Sequence, residues 1–354
     1  MRKNLQELTN KRWFIGLVMG FTFLSGLLIS FAGFPILGNI GKPLALPTAN
    51  SFSRATPAPI NKNNPQEGVY NALLLGYGGG NHEGTLLTDS IIVAHVDTNT
   101  KKAALISIPR DLWIPGNIKI NAAGVNGFQN SSPAVQNVTG LPINYYVAVD
   151  FNNFRKLIDN LGGITVSVPK TFDDPFYPIE GEENNTCGMN DAQIFELKNK
   201  FGQSGFELEK QFTCRYEHLH FDAGQNVHLD GASALKFVRS RHGDSDFGRS
   251  ERQFAVLTGI LSRLVSLRNV NKIDETVNTL FNMVKTDLNL GTIKTLAQVF
   301  GEPGVYKISQ IQLTTDNVLK EGYSANGSYV LMPKSGEFDF TGVKNYINTW
   351  LQRM

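Results

Sequence analysis

The pattern of apolar and polar positions predicts short strands interleaved with amphipathic helices. β-Branched and aliphatic runs at Asn71–Gly76, Ile91–Asp97 and Ala103–Ile108 are typical of strands. The polar DTNTKK stretch between the last two runs indicates a hairpin. Two later runs, Tyr306–Leu313 and Tyr329–Met332, predict further strands.

A strand–helix–strand unit is predicted between Tyr145 and Val168. Tyr145–Asp150 has the composition of a strand, and Ile164–Val168 resumes one after the helix-ending pair Gly162 and Gly163. The helix between them carries its apolar residues at helical spacing: Phe154, Leu157, Ile158 and Leu161. Such a unit implies two parallel strands in one covered sheet.

Three more amphipathic helices complete the pattern. One begins near Leu229 with Asp230 as its N-cap, one begins near Asp246, and one closes the chain (FTGVKNYINTWL). The predicted fold class is α/β, a three-layer α/β/α sandwich around a mixed central sheet, in one domain covering residues 68–354. Residues 170–228 are poorly periodic and rich in Gly, Asn, Asp and Glu, which indicates an insertion.

The amino end predicts a membrane anchor. Residues 13–34 contain no charge and would span roughly 33 Å as a helix at ~1.5 Å per residue. The basic residues of positions 1–12 favour a cytoplasmic amino end, with residues 68–354 on the outer side of the cell membrane. A cleaved signal peptide is the alternative, but its apolar core is normally shorter. Residues 35–67, which are rich in Pro, Ser, Thr and Asn, are predicted to form an extracytoplasmic spacer.

Charge and cysteine content limit the classes of function. The net charge of the 354 residues is +2, so no global positive field would hold nucleic acid, and any anion site is local. Outside the cytoplasm Cys187 and Cys214 favour a disulfide closing about 26 residues, worth ~3–4 kcal/mol by chain entropy. Two buried free thiols are the alternative.

The densest ionic segment is KFVRSRHGDSDFGRSERQ, residues 236–253. Arginine side chains bind phosphate oxygens in pairs, and a helix amino end adds free N–H groups. In a helix from Asp246, the residues Asp246, Arg249 and Gln253 share one face, with arginines just upstream. The segment is therefore a candidate pyrophosphate site, and a solvated, salt-bridged helix junction is the alternative.

Two other segments carry candidate chemistry. Arg110 and Asp111 follow a strand, where sites of open α/β sheets collect, although a plain surface turn is the local alternative. Asp89 precedes a strand and is a suitable single carboxylate for Mg²⁺, which binds few carboxylates together with substrate phosphates.

Zinc chemistry is disfavoured by the sequence. Cys214, His218, His220 and His228 are close in the chain, but none forms an H-E-x-x-H pair, and the thiol is better used in a disulfide. His95 lies within a strand and is interpreted as a packed or surface histidine rather than a ligand.

Together these segments resemble the LytR-CpsA-Psr family of bacterial cell-envelope enzymes. The matching pieces occur in the family's order: LLLGYGGG, LTDSIIVAHVDTNTKKAALISIPRDLWIPG, KINAA, YYVAVDFNNFRKLIDNLGGITVSVP and AGQNVHLDGASALKFVRSRHGDSDFGRSERQ. The resemblance implies a membrane-anchored transferase that uses Mg²⁺. Such an enzyme moves a phosphoglycosyl polymer from a polyprenyl-pyrophosphate-linked precursor to a peptidoglycan hydroxyl.

The resemblance also implies roles for individual residues. Arg110, Arg239, Arg241 and Arg249 would hold the pyrophosphate, with Arg252 and Gln253 beside them. Asp111 would brace Arg110, Asp89 would serve Mg²⁺, and Asp246 is the choice for the general base. Two alternatives remain at this stage: a non-catalytic polyprenyl-phosphate sensor or carrier, and a polyprenyl-pyrophosphate hydrolase.

The chain departs from the family at two positions. Many members have Asp shortly after the first strand, where this chain has Tyr77-Gly78-Gly79. Many also have Arg two residues before the metal Asp, where this chain has Leu87. His82 and Glu83 are the replacements that the sequence suggests.

Overall fold

The structure is a computed structural model that describes residues 68–80, 84–240, 246–267, 278–300 and 305–354. The predicted anchor at residues 13–34 and the spacer at 35–67 lie outside the described residues. Within the described ranges, no helix combines the length and the apolar character needed to cross a membrane.

A six-stranded mixed sheet forms the centre of the protein, in the order β11–β6–β1–β2–β3–β12. β1 pairs antiparallel with β2, and β2 with β3, so the hairpin predicted at DTNTKK is confirmed. β6 runs parallel to β1, and β12 runs parallel to β3. The bounds are β1 Val69–Tyr77, β2 Thr88–Asp97, β3 Lys102–Ser107, β6 Tyr145–Asp150, β11 Lys285–Thr286 and β12 Lys307–Gln312.

Eight α-helices are described outside the sheet. Their bounds are α1 Ser131–Thr139, α2 Phe151–Asn160, α3 Asp191–Phe201, α4 Phe206–Glu209, α5 Gly231–Arg239, α6 Asp246–Leu267, α7 Leu290–Phe300 and α8 Thr341–Arg353. The predicted start of α5 is confirmed, because the Asp230 carboxylate accepts a hydrogen bond from the Ser233 N–H at its first turn.

Helices pack on both faces of the sheet because successive strand residues point to opposite sides. In β1, Leu74 belongs to the core shared with α2, α5, α6 and α7, whereas Leu73 and Leu75 belong to the core shared with α1 and α8. The predicted mixed sheet with flanking helices is therefore present.

In the described part of the chain, four two-stranded sheets surround the central one. They are formed by β4 Trp113–Ile114 with β5 Ile118–Lys119, β7 Ile164–Ser167 with β10 Asn226–Leu229, β8 Phe172–Pro178 with β9 Tyr216–Phe221, and β13 Leu319–Tyr323 with β14 Tyr329–Pro333. The described residues also form short 3₁₀ helices at Ile120–Ala122, Phe128–Asn130 and Thr213–Arg215.

The predicted parallel pairing of the strand–helix–strand unit is wrong. β7 does not join β6; it pairs antiparallel with β10 outside the central sheet. The reason lies in the packing of α6, which runs along β7 and brings Gly259 close to it. A Cβ at Gly259 would stand 2.8 Å from the carbonyl oxygen of Thr165. The apolar side of β7 is thereby buried by α6, with Ile164 and Val166 in the core.

The segment predicted as an insertion contains β8, α3, α4, β9 and β10. Cys187 and Cys214 are joined by a disulfide within it. The inner face of the two-stranded β8–β9 sheet carries the buried side chains of Phe172, Tyr177 and Leu219.

The close approach of α5 to α2 predicts a strong effect of one added methyl group. A Cβ at Gly231 would overlap the carbonyl oxygen of Arg155, and the Gly231 N–H donates to Asp159 Oδ1 at 2.8 Å. We expect Gly231→Ala to lower the free energy of unfolding by about 1–3 kcal/mol, because backbone must move to relieve the overlap.

Thermal unfolding of Gly231→Ala measures this effect, with Gly342→Ala as the matched control. The nearest atom to a Cβ at Gly342 is Ser335 Oγ at 3.5 Å, an ordinary contact. A Gly231→Ala protein as stable as the control would contradict the close packing of α5 on α2.

Candidate active site

Polar residues gather at one edge of the central sheet. The carboxyl ends of β1, β3, β6 and β12 meet the amino end of β2 there, because β2 is antiparallel to its neighbours. The register pairs Tyr77 with Asp150, Gly76 with Ser90, and Ser107 with Gln312. This edge therefore brings together residues far apart in the sequence.

A cavity of about 200 Å³ opens at this edge between β2, β3 and the first turns of α6. It contains five of the predicted site residues: Asp89, Arg110, Asp111, Arg249 and Gln253. The other polar residues lining it are Ser90, Ser107, Ser250, Gln312, Thr314, Thr315, Glu321 and Tyr329.

Arg110 is held by carboxylates on two sides. Its Nη1 lies 2.6 Å from Asp89 Oδ1, and its Nε lies 3.4 Å from Asp111 Oδ2. Asp111 also accepts from Lys119 Nζ at 2.6 Å. The side chain of Arg110 is only 14% exposed. Its two carboxylate partners fix the direction of the guanidinium group, which lines the cavity.

α6 supplies the opposite wall of the cavity. Arg249 and Gln253 are 8% and 3% exposed, one turn apart on the face of α6 that lines the cavity. Ser90 Oγ donates to Gln253 Oε1 at 3.4 Å, and the hydroxyls of Ser107 and Ser250 lie 3.2 Å apart. These contacts seat the start of α6 on β2 and β3.

Arg252, which is predicted to lie beside the pyrophosphate, makes other contacts in the structure. The side chain is 1% exposed, and its Nε and Nη2 donate to the carbonyl oxygens of Phe237 and Ser240 at 2.8 and 2.7 Å. Its guanidinium carbon lies 4.1 Å from the ring centroid of Phe172. Arg252 thus joins α6 to the end of α5 and to the β8–β9 sheet. It is not among the described residues that line the cavity.

Arg239 is also absent from the described lining of the cavity. Its guanidinium carbon lies 4.5 Å from the ring centroid of Phe151, at the start of α2. Arg241 lies outside the described residues, and the side chain of Asp246 is not described. The structure therefore brings Arg110 and Arg249 together and does not add Arg239 to them.

The β8–β9 sheet of the insertion supports Ser240, the residue that follows Arg239. Asp174 is fully buried and accepts a hydrogen bond from Ser240 Oγ. Sequence reasoning missed this support, because a single acidic residue in a poorly periodic segment gives no signal of a partner 66 positions away.

Tyr77, the last residue of β1 before the glycine turn, contacts a carboxylate. Tyr77 Oη donates to Asp150 Oδ2 at 3.5 Å, and burial together with Asp150 raises the pKa of Tyr77. Asp150 is the N-cap of α2 and accepts from the Asn153 N–H at 2.8 Å. His82 and Glu83 lie outside the described residues.

Glu321, Tyr329, Thr314 and Thr315 are lining residues that sequence reasoning missed. Thr314 and Thr315 follow β12, and the other two come from the β13–β14 hairpin. Tyr329 Oη donates to Glu321 Oε1 at 3.3 Å. The only sequence signal for these residues was that strands were predicted near them. Nothing in their local sequence is typical of a phosphate site.

A smaller apolar cavity of about 50 Å³ lies farther along the same two walls. It is lined by Ala103, Ala104 and Leu105 of β3 and by Leu257, Thr258 and Leu261 of α6. The polar cavity is lined by Ser107, two residues after Leu105 on β3, and by Gln253, one helical turn before Leu257 on α6. Polar and apolar compartments thus follow one another between the sheet and one helix.

Comparison with known proteins places this arrangement in a family. The model described as the LytR_cpsA_psr family matches residues 45–339, which include all the residues that line the polar cavity. The chain belongs to the LytR_cpsA_psr family. The resemblance seen in the sequence is thereby confirmed.

Named LytR_cpsA_psr relatives support the match. The chain is 28% identical over 256 residues to the polyisoprenyl-teichoic acid–peptidoglycan teichoic acid transferase TagV of Bacillus subtilis, covering 70% of this chain and 56% of that protein. It is 28% identical to the Enterococcus faecalis protein TagU of the same transferase name, covering 78% of this chain and 80% of TagU.

The crystal structure of B. subtilis TagV shares the LytR_cpsA_psr fold with this chain. The TM-score is 0.56 at 26% sequence identity, and the superposition covers 81% of this chain and 99% of the TagV chain in that crystal structure.

His95, in the apolar cavity, predicts a pH effect on stability. The side chain is buried, its Nδ1 lies 2.7 Å from Asn71 Oδ1, and burial lowers its pKa while Asp97 opposes the shift. The folded protein therefore holds this imidazole neutral where the unfolded chain binds a proton. Its stabilising effect is complete above the unfolded pKa of about 6.5 and is lost progressively as the pH falls from there through the lower pKa of the folded protein.

We expect the free energy of unfolding to fall more steeply from pH 7.5 to pH 5 in the unsubstituted protein than in His95→Gln. Denaturant unfolding at each pH measures the difference. Parallel pH profiles would show that His95 is protonated equally in both states.

Proposed function

We propose that this protein is a transferase that moves a phosphoglycosyl polymer from a polyprenyl-pyrophosphate-linked precursor to a hydroxyl of peptidoglycan. The observation that carries this proposal is the pair Arg110 and Arg249 on opposite walls of one partly buried cavity. Membership of the LytR_cpsA_psr family and the transferase names of TagV and TagU support it.

The two arginines suit a diphosphate by charge and geometry. Guanidinium groups donate in pairs to phosphate oxygens, and their low exposure strengthens the attraction compared with bulk water. Arg110 is pre-oriented by Asp89 and Asp111, so little reorganisation is needed when the diphosphate binds. Arg241, from the same sequence motif, is proposed as a further contact.

The reaction is a substitution at phosphorus. The acceptor hydroxyl oxygen forms a bond to the phosphorus next to the glycan, and the bond from that phosphorus to the bridging oxygen breaks. Polyprenyl phosphate leaves with the electron pair, and the hydroxyl proton passes to a base. Asp246 is proposed as this base, because helical spacing puts it on the same face as Arg249 and Gln253.

The apolar cavity is proposed to receive the first isoprene units of the prenyl chain. Its position beside the polar cavity supports this proposal, since a lipid diphosphate needs a cationic end and an apolar continuation. We further propose that the anchor at residues 13–34 holds the catalytic domain on the outer side of the cell membrane, where lipid-linked precursors and peptidoglycan are found.

Mg²⁺ is proposed as the cofactor, with Asp89 as its protein ligand. Asp89 lines the cavity beside Arg110 and offers a hard carboxylate. One carboxylate together with substrate phosphates is a common binding mode for Mg²⁺, so the residues present fit the ion. When bound, Mg²⁺ would neutralise phosphate charge that the arginines do not reach.

Substitution of the two arginines tests the proposed transfer. We expect Arg110→Ala and Arg249→Ala each to reduce transfer by about 100-fold or more, because each removes a cation from the developing charge on phosphate. Arg110→Lys keeps the charge but loses the paired donors, and we expect an intermediate activity.

The measurement uses lipid-linked glycan, an acceptor glycan and the full-length chain, with product analysis. Arg353→Ala, at the end of α8, is the control for the loss of an arginine. Undiminished transfer in both cavity variants would reject the assignment. Release of free phosphoglycan without attachment would indicate the hydrolase, and binding without turnover would indicate the carrier.

The proposed Mg²⁺ site gives a separate prediction. We expect a chelator to abolish transfer, and Asp89→Asn to raise the Mg²⁺ concentration for half-maximal activity by about tenfold or more. Asp191→Asn, on the exposed first turn of α3, is the control. Equal Mg²⁺ dependence in the two variants would exclude Asp89 as a ligand.

A further inference from the structure

The outer face of the two-stranded β8–β9 sheet carries two histidines at strand spacing. His218 and His220 alternate with Leu219, which is buried in the inner face. On the neighbouring strand Asp173 pairs in register with His220. The strand geometry therefore places two imidazoles and one carboxylate side by side.

The ligand atoms of these residues are already close together. Asp173 Oδ1 lies 2.7 Å from His218 Nε2 and 2.9 Å from His220 Nδ1, and one ligand atom from each residue lies within 4.8 Å of the others. Ligand atoms in a tetrahedral zinc shell are about 3.3 Å apart, so small side-chain movements are enough to admit an ion. All three side chains are about half exposed, and the group is open to solvent.

A second carboxylate orients one of the imidazoles. His220 Nε2 lies 3.2 Å from Asp222 Oδ1, while its Nδ1 faces Asp173. Asp222 is in turn held through its Oδ2 by Gln225 Nε2 at 2.9 Å. A metal-binding histidine typically gives its other ring N–H to a carboxylate, which fixes the tautomer.

The β8–β9 sheet that presents these groups is anchored by an apolar inner face and by a disulfide. Its inner face packs Phe172, Tyr177 and Leu219 together, and the Cys187–Cys214 disulfide closes the segment just before β9. The disulfide also removes Cys214 as a thiolate ligand. Two of the histidines considered in the sequence, His218 and His220, are thus grouped with the carboxylate of Asp173 and not with the thiol of Cys214.

We propose that Asp173, His218 and His220 form a binding site for Zn²⁺ on the insertion, separate from the active-site cavity. Imidazole nitrogens with one carboxylate suit zinc, whereas Mg²⁺ and Ca²⁺ prefer oxygen ligands. Water completes the shell. The ion joins β8 to β9 across their outer face, directly behind the inner face on which Asp174 holds Ser240.

Zinc binding to the full-length chain, freed of metal and held in detergent, tests the site by calorimetric titration. We expect saturable binding of one Zn²⁺ that is lost in the double variant His218→Ala/His220→Ala. Asp222→Asn should weaken the affinity by about 10–100-fold, because it leaves the ligands in place and removes the orienting carboxylate. His228→Ala, an exposed histidine on β10, is the matched control and should bind as the unsubstituted protein does.

A second measurement separates a site from loose surface binding. We expect Zn²⁺ to raise the thermal unfolding temperature of the unsubstituted protein and of His228→Ala, and to leave the double variant unchanged. Excess Mg²⁺ should not displace the bound zinc. Equal zinc affinity in the double variant, a loss in His228→Ala as large as in it, or no saturable binding would each overturn the proposal.

Discussion

The packing of α6 across the central sheet is the constraint on which both compartments of the proposed site depend. The close approach at Gly259 lets the helix lie along β7, and the contacts from Ser90 to Gln253 and from Ser107 to Ser250 fix its first turns on β2 and β3. Polar residues at the start of the helix then face the sheet edge, while Leu257 and Leu261 farther along face apolar strand positions. A single rigid helix thereby sets the distance between a cationic cavity and an apolar one.

Burial determines how the cations near this helix act. Removing a guanidinium group from water is costly unless opposite charges compensate it, and Arg110 has two such partners, Asp89 at 2.6 Å and Asp111 at 3.4 Å. The same carboxylates hold the group toward the cavity before any substrate binds. The proposed diphosphate would therefore meet a charge that is already oriented, with its positive field moderated by the two carboxylates.

Sequence reasoning recovered the parts of the fold that depend on local pattern. The β2–β3 hairpin and the Asp230 N-cap followed from alternation and from helix-start chemistry. The pairing of β7 could not be predicted, because its choice of β10 over β6 depends on tertiary packing against α6. The family resemblance predicted that Arg110 and Arg249 share one site, but lining residues such as Glu321 reach the cavity only through the placement of a distant hairpin.

Arg249 and Arg252 show why a motif cannot assign its own residues. They are three positions apart in α6, have the same side chain, and are equally suited to phosphate by chemistry. Arg249 faces the sheet edge, while Arg252 is turned toward the end of α5, where the carbonyl oxygens of Phe237 and Ser240 take its donors. Phe237 lies in the last turn of α5 and Ser240 is its C-cap, so both carbonyl groups are among those at a helix end that intrahelical hydrogen bonds leave unsatisfied. Arg252 meets that need, and the cost of leaving such groups unsatisfied explains why one arginine of the motif serves the fold while its neighbour serves the cavity.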